Sequence, residues 1–286
     1  MIAYLDSNAF DHLYKRIGCT SAHIAQLRKA IYGHGLSMPI GIHVLEEILL
    51  NKQASPQELA ARVKLTLSLA SIRRMVKPCD QLVADDIRSY AATGQPDRPL
   101  ADTHIQNAIT QGVAELIESD GEEFSEEIAE ALEETEQRKQ RFLQNIRDAQ
   151  QQLAALVETL PARISFHDYF QRVAGATAER FAHRAGVLDA CRERGIPGLL
   201  KIKSVRAAVG VALSFAYGQT FEGWPIPAEG AVDILHVPSA AATAEIFVTD
   251  DSRLRAALER VGLDDLRVMN LAEFLVACSP AEAFDS

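Results

Sequence analysis

Short apolar runs that end in an acidic residue sit at both ends of this chain, and they constrain its fold more than any other feature. Met1-Ile2-Ala3-Tyr4-Leu5 runs into Asp6, and Ile246-Phe247-Val248-Thr249 runs into Asp250 and Asp251. Asp233 precedes Ile234-Leu235-His236-Val237, and Glu46 and Glu47 follow the apolar stretch from Ile40 to Leu45. Runs of this length and composition read as strands. A carboxylate at the mouth of a buried strand is costly to desolvate unless something cationic meets it. Carboxylates that converge on one spot raise each other's pKa values. A hard divalent cation, Mg²⁺ or Mn²⁺, prefers oxygen ligands and relieves that repulsion. The pattern points to metal-dependent phosphodiester chemistry.

Between the two ends the texture changes. Ser7 or Asn8 is placed to cap a helix whose spacing (Phe10, Leu13, Tyr14, Ile17, Ile24, Leu27, Ile31) runs from Ala9 to Tyr32 and stops at Gly33 and Gly35. Ser37 to Val44 reads as a second strand, and Leu45 opens the next helix with Glu46 and Glu47 in its first turn. Ser55-Pro56-Gln57-Glu58 resembles a capping box with Pro at the first helical position. Helical periodicity then dominates to about Gly218, broken by a loop over Ala92 to Pro99. Phe142, Ile146, Ala149, Leu153, Leu156 and Leu160 are spaced four, three, four, three, four, as in a long helix of a hairpin or bundle stopped by Pro161.

After Trp224-Pro225-Ile226-Pro227 the alternation resumes. It gives a helix or short strand from Asp233, a strand at Glu245–Thr249, a helix at Ser252–Val261, a strand at Leu266–Met269 and a closing helix at Leu271–Ala277. The expected class is α/β, a parallel sheet sandwiched by helices. Residues 1–53 and 222–286 would form that unit, and residues 54–221 a large all-helical insertion. In such sheets the site lies outside the carboxyl ends of the strands, where Asp6 and Asp250/Asp251 stand.

Bulk properties exclude some classes. A formal net charge of −10 over 286 residues rules out a surface that is basic throughout. Much of the acidity is local, between Glu115 and Glu136, and a basic groove elsewhere is compatible with it. The four cysteines (Cys19, Cys79, Cys191, Cys278) form no CxxC pair, which argues against a zinc site and for reduced thiols. The chain opens on a strand without a basic leader, and Val205–Tyr217 is too short to span a membrane, so a soluble cytoplasmic protein is expected.

The acidic segments taken together resemble the PIN-domain family of metal-dependent nucleases, which includes the VapC-type toxin ribonucleases. Tyr4-Leu5-Asp6-Ser7-Asn8 is similar to the family's opening strand, with its Asp, small hydroxyl residue and Asn. Val44-Leu45-Glu46-Glu47-Ile48-Leu49 is similar to the second motif, with Glu47 in the acidic position and Glu46 as a register alternative. Asp233-Ile234-Leu235-His236-Val237 resembles the third motif. Thr249-Asp250-Asp251 resembles the fourth, with Asp251 as the acid and Asp250 as an additional or alternative one. The departure is the distance between Glu47 and Asp233, several times that of a minimal PIN domain.

The resemblance implies Asp6 and Asp233 as central ligands of Mg²⁺ or Mn²⁺, with Asp251 and Glu47 completing the pocket and Asn8 and Thr249 orienting it. It implies an RNA substrate, a product with a 5′ phosphate and a 3′ hydroxyl, and for the toxin branch an antitoxin partner. The insertion leaves room for a homodimer interface. Against this stands a plain structural reading in which Asp6 and Asp233 are helix caps. A non-catalytic scaffold whose insertion binds a protein or nucleic acid is the rival account. A flap-type DNA nuclease fits less well, because the insertion carries an acidic stretch where a basic arch is needed. His43, His104, His167, His183 and His236 show no ligand spacing and read as core or surface histidines. Lys201, Lys203 and Arg206 form a basic cluster at a helix start, open either to a phosphate backbone or to solvent.

Overall fold

A computed structural model of the protein describes residues 1–49, 54–119, 164–224 and 233–279, with a few isolated positions between 133 and 151. The heptad-spaced run from Phe142 to Leu160 and most of the Glu-rich stretch lie outside the described residues.

The elements in chain order are β1 (Ala3–Leu5), α1 (Ser7–Lys15), α2 (Ser21–Tyr32), β2 (Pro39–Gly41), α3 (Ile42–Leu49), α4 (Pro56–Leu69), β3 (Ser71–Val76), α5 (Cys79–Thr93) and α6 (Thr103–Glu118). After residue 163 come α7 (Phe166–Arg184), α8 (Leu188–Arg194), α9 (Ile196–Leu199), α10 (Lys203–Phe221), α11 (Asp233–Thr243), β4 (Ile246–Val248), α12 (Ser252–Val261), β5 (Arg267–Met269) and α13 (Leu271–Ala277).

The fold is mixed α/β and mostly helical; among the described residues the named strands pair in parallel, and Leu100 adds an isolated antiparallel bridge to Val76 of β3. β1, β4 and β5 form one ladder in that spatial order, with Tyr4 opposite Phe247 and Phe247 opposite Val268. β2 and β3 form a second ladder. A parallel bridge between Ile2 and Ser37, with Ala3 N–H donating to Ser37 O at 3.0 Å, lays the segment entering β2 against the free side of β1. The strands therefore follow one another as β3-β2-β1-β4-β5. From β1 the chain first winds outward through β2 to β3, then returns across the sheet to β4 and β5. The direction reverses between β1 and β4, and the crevice outside their carboxyl ends is where doubly wound sheets place ligands.

Ala3, Tyr4, Leu5 and Ile246, Phe247, Val248 are all buried, as strands covered on both faces must be. The main apolar core joins these strands to α1, α3, α11, α12 and α13. A second apolar cluster, built from residues such as Ile87, Tyr169, Leu199, Val209 and Tyr217, packs α5, α7, α9 and α10 together.

Four local expectations are corrected. The single helix over Ala9–Tyr32 is two, because Arg16 adopts a left-handed conformation (φ 60°) as the C-cap of α1 and Gly18 follows at φ 67°. The second strand is shorter than Ser37–Val44. Helix α3 begins at Ile42, so Glu46 and Glu47 stand in its second turn, one turn further from the strand than expected. The stretch 54–221 is not all helix, since β3 lies inside it and pairs with β2. Finally, neither Ser7 nor Asn8 caps α1. Asp6 does, its Oδ1 accepting from Ala9 N–H at 2.7 Å.

Candidate active site

Asp6 stands at the reversal point of the sheet. It follows β1, its N–H donates to Val248 O at 3.1 Å across the β1–β4 ladder, and its side chain is fully buried. Oδ1 is spent on the cap of α1, while Oδ2 is buried with no hydrogen-bond partner. Burial is the main reason its pKa is pushed up to about 6. The Thr249 hydroxyl, the Ala9 N–H and His236 pull it down, and the negative charge of Glu47 pushes it up. Thr249, fully buried at the end of β4, accepts from Asp251 N–H at 3.2 Å, which leaves its own hydroxyl proton to give.

Glu47 reaches the same crevice from α3. Its Oε2 accepts hydrogen bonds from the Ser7 hydroxyl and from His236 Nε2, the latter at 3.1 Å. His236 is fully buried in α11, and its Nδ1 lies 3.2 Å from the Tyr4 hydroxyl in β1. Burial, then the charges of Glu47 and Asp6, hold the Tyr4 pKa well above 10. Tyr4 therefore keeps its proton, its hydroxyl is hydrogen-bonded to Nδ1, and the opposite ring nitrogen faces Glu47. Glu46 points elsewhere. It is buried against His43, whose Nδ1 is 2.7 Å away and whose Nε2 accepts from Cys79 N–H at 2.9 Å. Of the two adjacent glutamates, Glu47 is the one turned to the crevice.

The other predicted acids divide. Asp250 is occupied at both oxygens, by His12 Nδ1 at 2.7 Å and by Leu271 N–H at 3.1 Å, where it ties α1 to the start of α13. Asp251 is the N-cap of α12, its Oδ1 accepting from Arg253 and Leu254 N–H groups at 2.7 and 3.0 Å. Asp233 is the first residue of α11, one turn before His236; its side chain lies outside the described residues. Asn8 is exposed on α1 and, with Ser7 and Glu47, lines a cleft of about 170 Å³.

Asp6 and Glu47 thus bring hard oxygen donors to one place, and Asp6 Oδ2 is buried there without a hydrogen-bond partner. This donor set fits Mg²⁺ or Mn²⁺, which protein sites commonly hold through one or two carboxylates while waters and substrate phosphate complete the shell. Among the described residues, no group of three or more His, Cys, Asp and Glu side chains could hold a metal ion by itself.

The sequence reading missed the roles of Tyr4, Ser7 and His236. One signal was available for His236: it falls three positions after Asp233 in a helical register, one turn away. Two residues of the basic cluster have partners within the fold. Lys203 pairs with Asp265 at 3.0 Å, and Arg206 donates to the carbonyls of Val261 and Gly262, the last of which is the C-cap of α12. Among the described residues no helix is long and apolar enough to cross a membrane. Compared with protein-family models, curated proteins and solved structures, the chain matches none.

Proposed function

We propose that the protein is a Mg²⁺- or Mn²⁺-dependent nuclease of PIN-like design that hydrolyses RNA phosphodiester bonds. One observation carries the reading. Two carboxylates, Asp6 at the end of β1 and Glu47 in the helix that follows β2, lie together beside the point where the strand order reverses, and Asp6 buries an oxygen with no hydrogen-bond partner. A buried carboxylate oxygen of this kind calls for a partner, and a bound cation is one that the neighbouring Glu47 would share.

In this reading Asp6 Oδ2 and Glu47 hold the cation, with Asp233 as a further ligand at the start of α11. The bound metal would neutralise phosphate charge, lower the pKa of a water and stabilise the leaving oxygen. The protein's own share is positioning. Ala9 N–H and Thr249 hold the Asp6 carboxylate ionised against its burial. Ser7 and His236 Nε2 fix Glu47, and Tyr4 fixes the imidazole behind it. Asn8 stands at the cleft mouth, where its amide can orient a phosphate or water. Asp251 supports the site through Thr249 and through the cap of α12. An antitoxin and a second copy of the chain are partners that this reading allows.

The rival reading is a non-catalytic scaffold. It gains from Asp250 and Asp251, whose described bonds are structural. Metal-dependent cleavage of a mixed RNA pool, lost in both Asp6→Asn and Glu47→Gln, decides between the two.

A further inference from the structure

The cleft beside Glu47 is acidic at Glu47 and Asp11, yet among the described residues one cation lines it. Arg62 of α4 enters its wall opposite Ser7 and Asn8 and is only 8% exposed. A buried guanidinium is costly unless it is paired and hydrogen-bonded, and Arg62 is held from three sides. Glu58 Oε1 accepts from Nε at 3.2 Å and from Nη2 at 2.5 Å. Asp11 Oδ1 lies 2.8 Å from Nη1, and the guanidinium carbon sits 5.3 Å from the Tyr14 ring centroid. Lys15 in turn pairs with Asp11 at 2.7 Å.

This arrangement fixes the guanidinium without exhausting it. The group carries five N–H donors in a planar fork. Glu58 takes two and Asp11 at most one, which leaves at least two that none of these bonds uses. The two positive charges of Lys15 and Arg62 balance those of Asp11 and Glu58. The clamp therefore adds no repulsion to Glu47, yet it presents an immobilised fork to anything that enters.

We infer that Arg62 is a substrate-binding residue, the donor that grips a backbone phosphate of a single-stranded RNA in the cleft next to Glu47. The inference rests on the nuclease reading of the same site and adds to it a contact from the stretch between the two α/β segments. A planar fork matches a phosphate's oxygens in pairs, which a lysine ammonium cannot do. A pre-fixed side chain also loses little rotamer freedom on binding.

The test is binding of a short single-stranded RNA in EDTA, read by fluorescence anisotropy over a salt series, so that cleavage plays no part. Arg62→Met keeps the packing against Tyr14 and removes the charge. It is expected to weaken binding roughly tenfold and to reduce the slope of log K against log salt by about 0.7, one phosphate contact on a single strand. Arg62→Lys keeps the charge and loses the fork. It is expected to bind more weakly than wild type with the slope unchanged, and it carries the test if the Met variant fails to fold. A purely structural Arg62 would leave the slope at the wild-type value in the Met variant, and that result overturns the inference. Wild-type protein that binds no RNA also overturns it. RNA binding that depends on Arg62, with no cleavage in Mg²⁺ or Mn²⁺, would sink the nuclease reading and leave this contact standing. Cleavage and binding that ignore Arg62→Met would do the reverse.

Discussion

Glu47 accepts a hydrogen bond from His236 across 189 positions of sequence, at 3.1 Å. The bond joins α3 to α11 and closes a buried chain that runs from Ser7 through Glu47 and His236 to Tyr4. Each group in it bonds to the next, so truncating one removes a bond from its neighbours. His236→Ala is expected to lower stability by about 1–3 kcal/mol in urea unfolding, because it removes one hydrogen bond each from the Glu47 carboxylate and the buried Tyr4 phenol. It is also expected to weaken metal affinity or cleavage about 10–100-fold, the usual consequence of losing a residue that orients a ligand. A variant as stable and as active as wild type would remove His236 from the account.

The burial of Asp6 has a pH signature. Its pKa rises from an ordinary 3.8 to about 6, so between these values the folded state binds more protons than the unfolded state. By linkage, stability must fall as pH rises through that window. The loss is about 3 kcal/mol for a shift of roughly two units. Asp6→Asn carries no such charge, so its stability relative to wild type should improve from pH 4 to pH 7. Mg²⁺ should raise the wild-type melting temperature at pH 7 far more than at pH 4 and should leave Asp6→Asn unmoved. Equal pH profiles for the two proteins would contradict the burial of an ionisable Asp6.

The neighbouring acids should separate by role. Asp250 ties His12 to the start of α13, and Glu46 holds His43. Asp250→Asn is expected to cost about 1 kcal/mol of stability and to leave metal-dependent cleavage in place, and Glu46→Gln should also act on stability alone. Glu47→Gln should lose cleavage with little change in melting temperature. Cleavage lost in Glu46→Gln and kept in Glu47→Gln would reverse the assignment.

Gly41 ends β2 where Tyr4 passes, and a Cβ there would collide with the Tyr4 hydroxyl. The phenol must sit there to reach His236, so the absence of a side chain at position 41 is tied to the buried network. Gly41→Ala is expected to destabilise by about 1–3 kcal/mol through overpacking and to lower activity as His236→Ala does. Unchanged stability would show that Tyr4 has another place to go.

The parts of this fold that the sequence reveals are those where local chemistry and tertiary position agree. β1 and Asp6, and the run from β4 through α12 to β5, combine a short apolar strand with a cap residue at its end, and both follow from the local pattern. β3 does not, because its first four residues are half-buried or exposed and carry Arg73 and Arg74, so neither alternation nor a continuous apolar run marks it. The break between α1 and α2 was hidden by apolar spacing that continues through Ile17, although Gly18 was the clue. That Glu47 rather than Glu46 turns to the crevice, and that Asp250 is tied to α1, depends on partners far along the chain, His236 and His12, which no local pattern contains. Arg62 reads in sequence as one charge on a polar helix face. It is buried only because Asp11 and Tyr14 of α1 meet it.

In the proposed function Asp6 and Glu47 form the heart of a metal-dependent nuclease. The most direct measurement is Mg²⁺- or Mn²⁺-dependent cleavage of a mixed single-stranded and structured RNA pool by wild type, Asp6→Asn and Glu47→Gln, with folding checked by circular dichroism. Cleavage by wild type that needs the metal and is lost in both folded variants is the predicted result. No cleavage by wild type in either metal, with no metal binding by calorimetry, would contradict it and point to the scaffold reading.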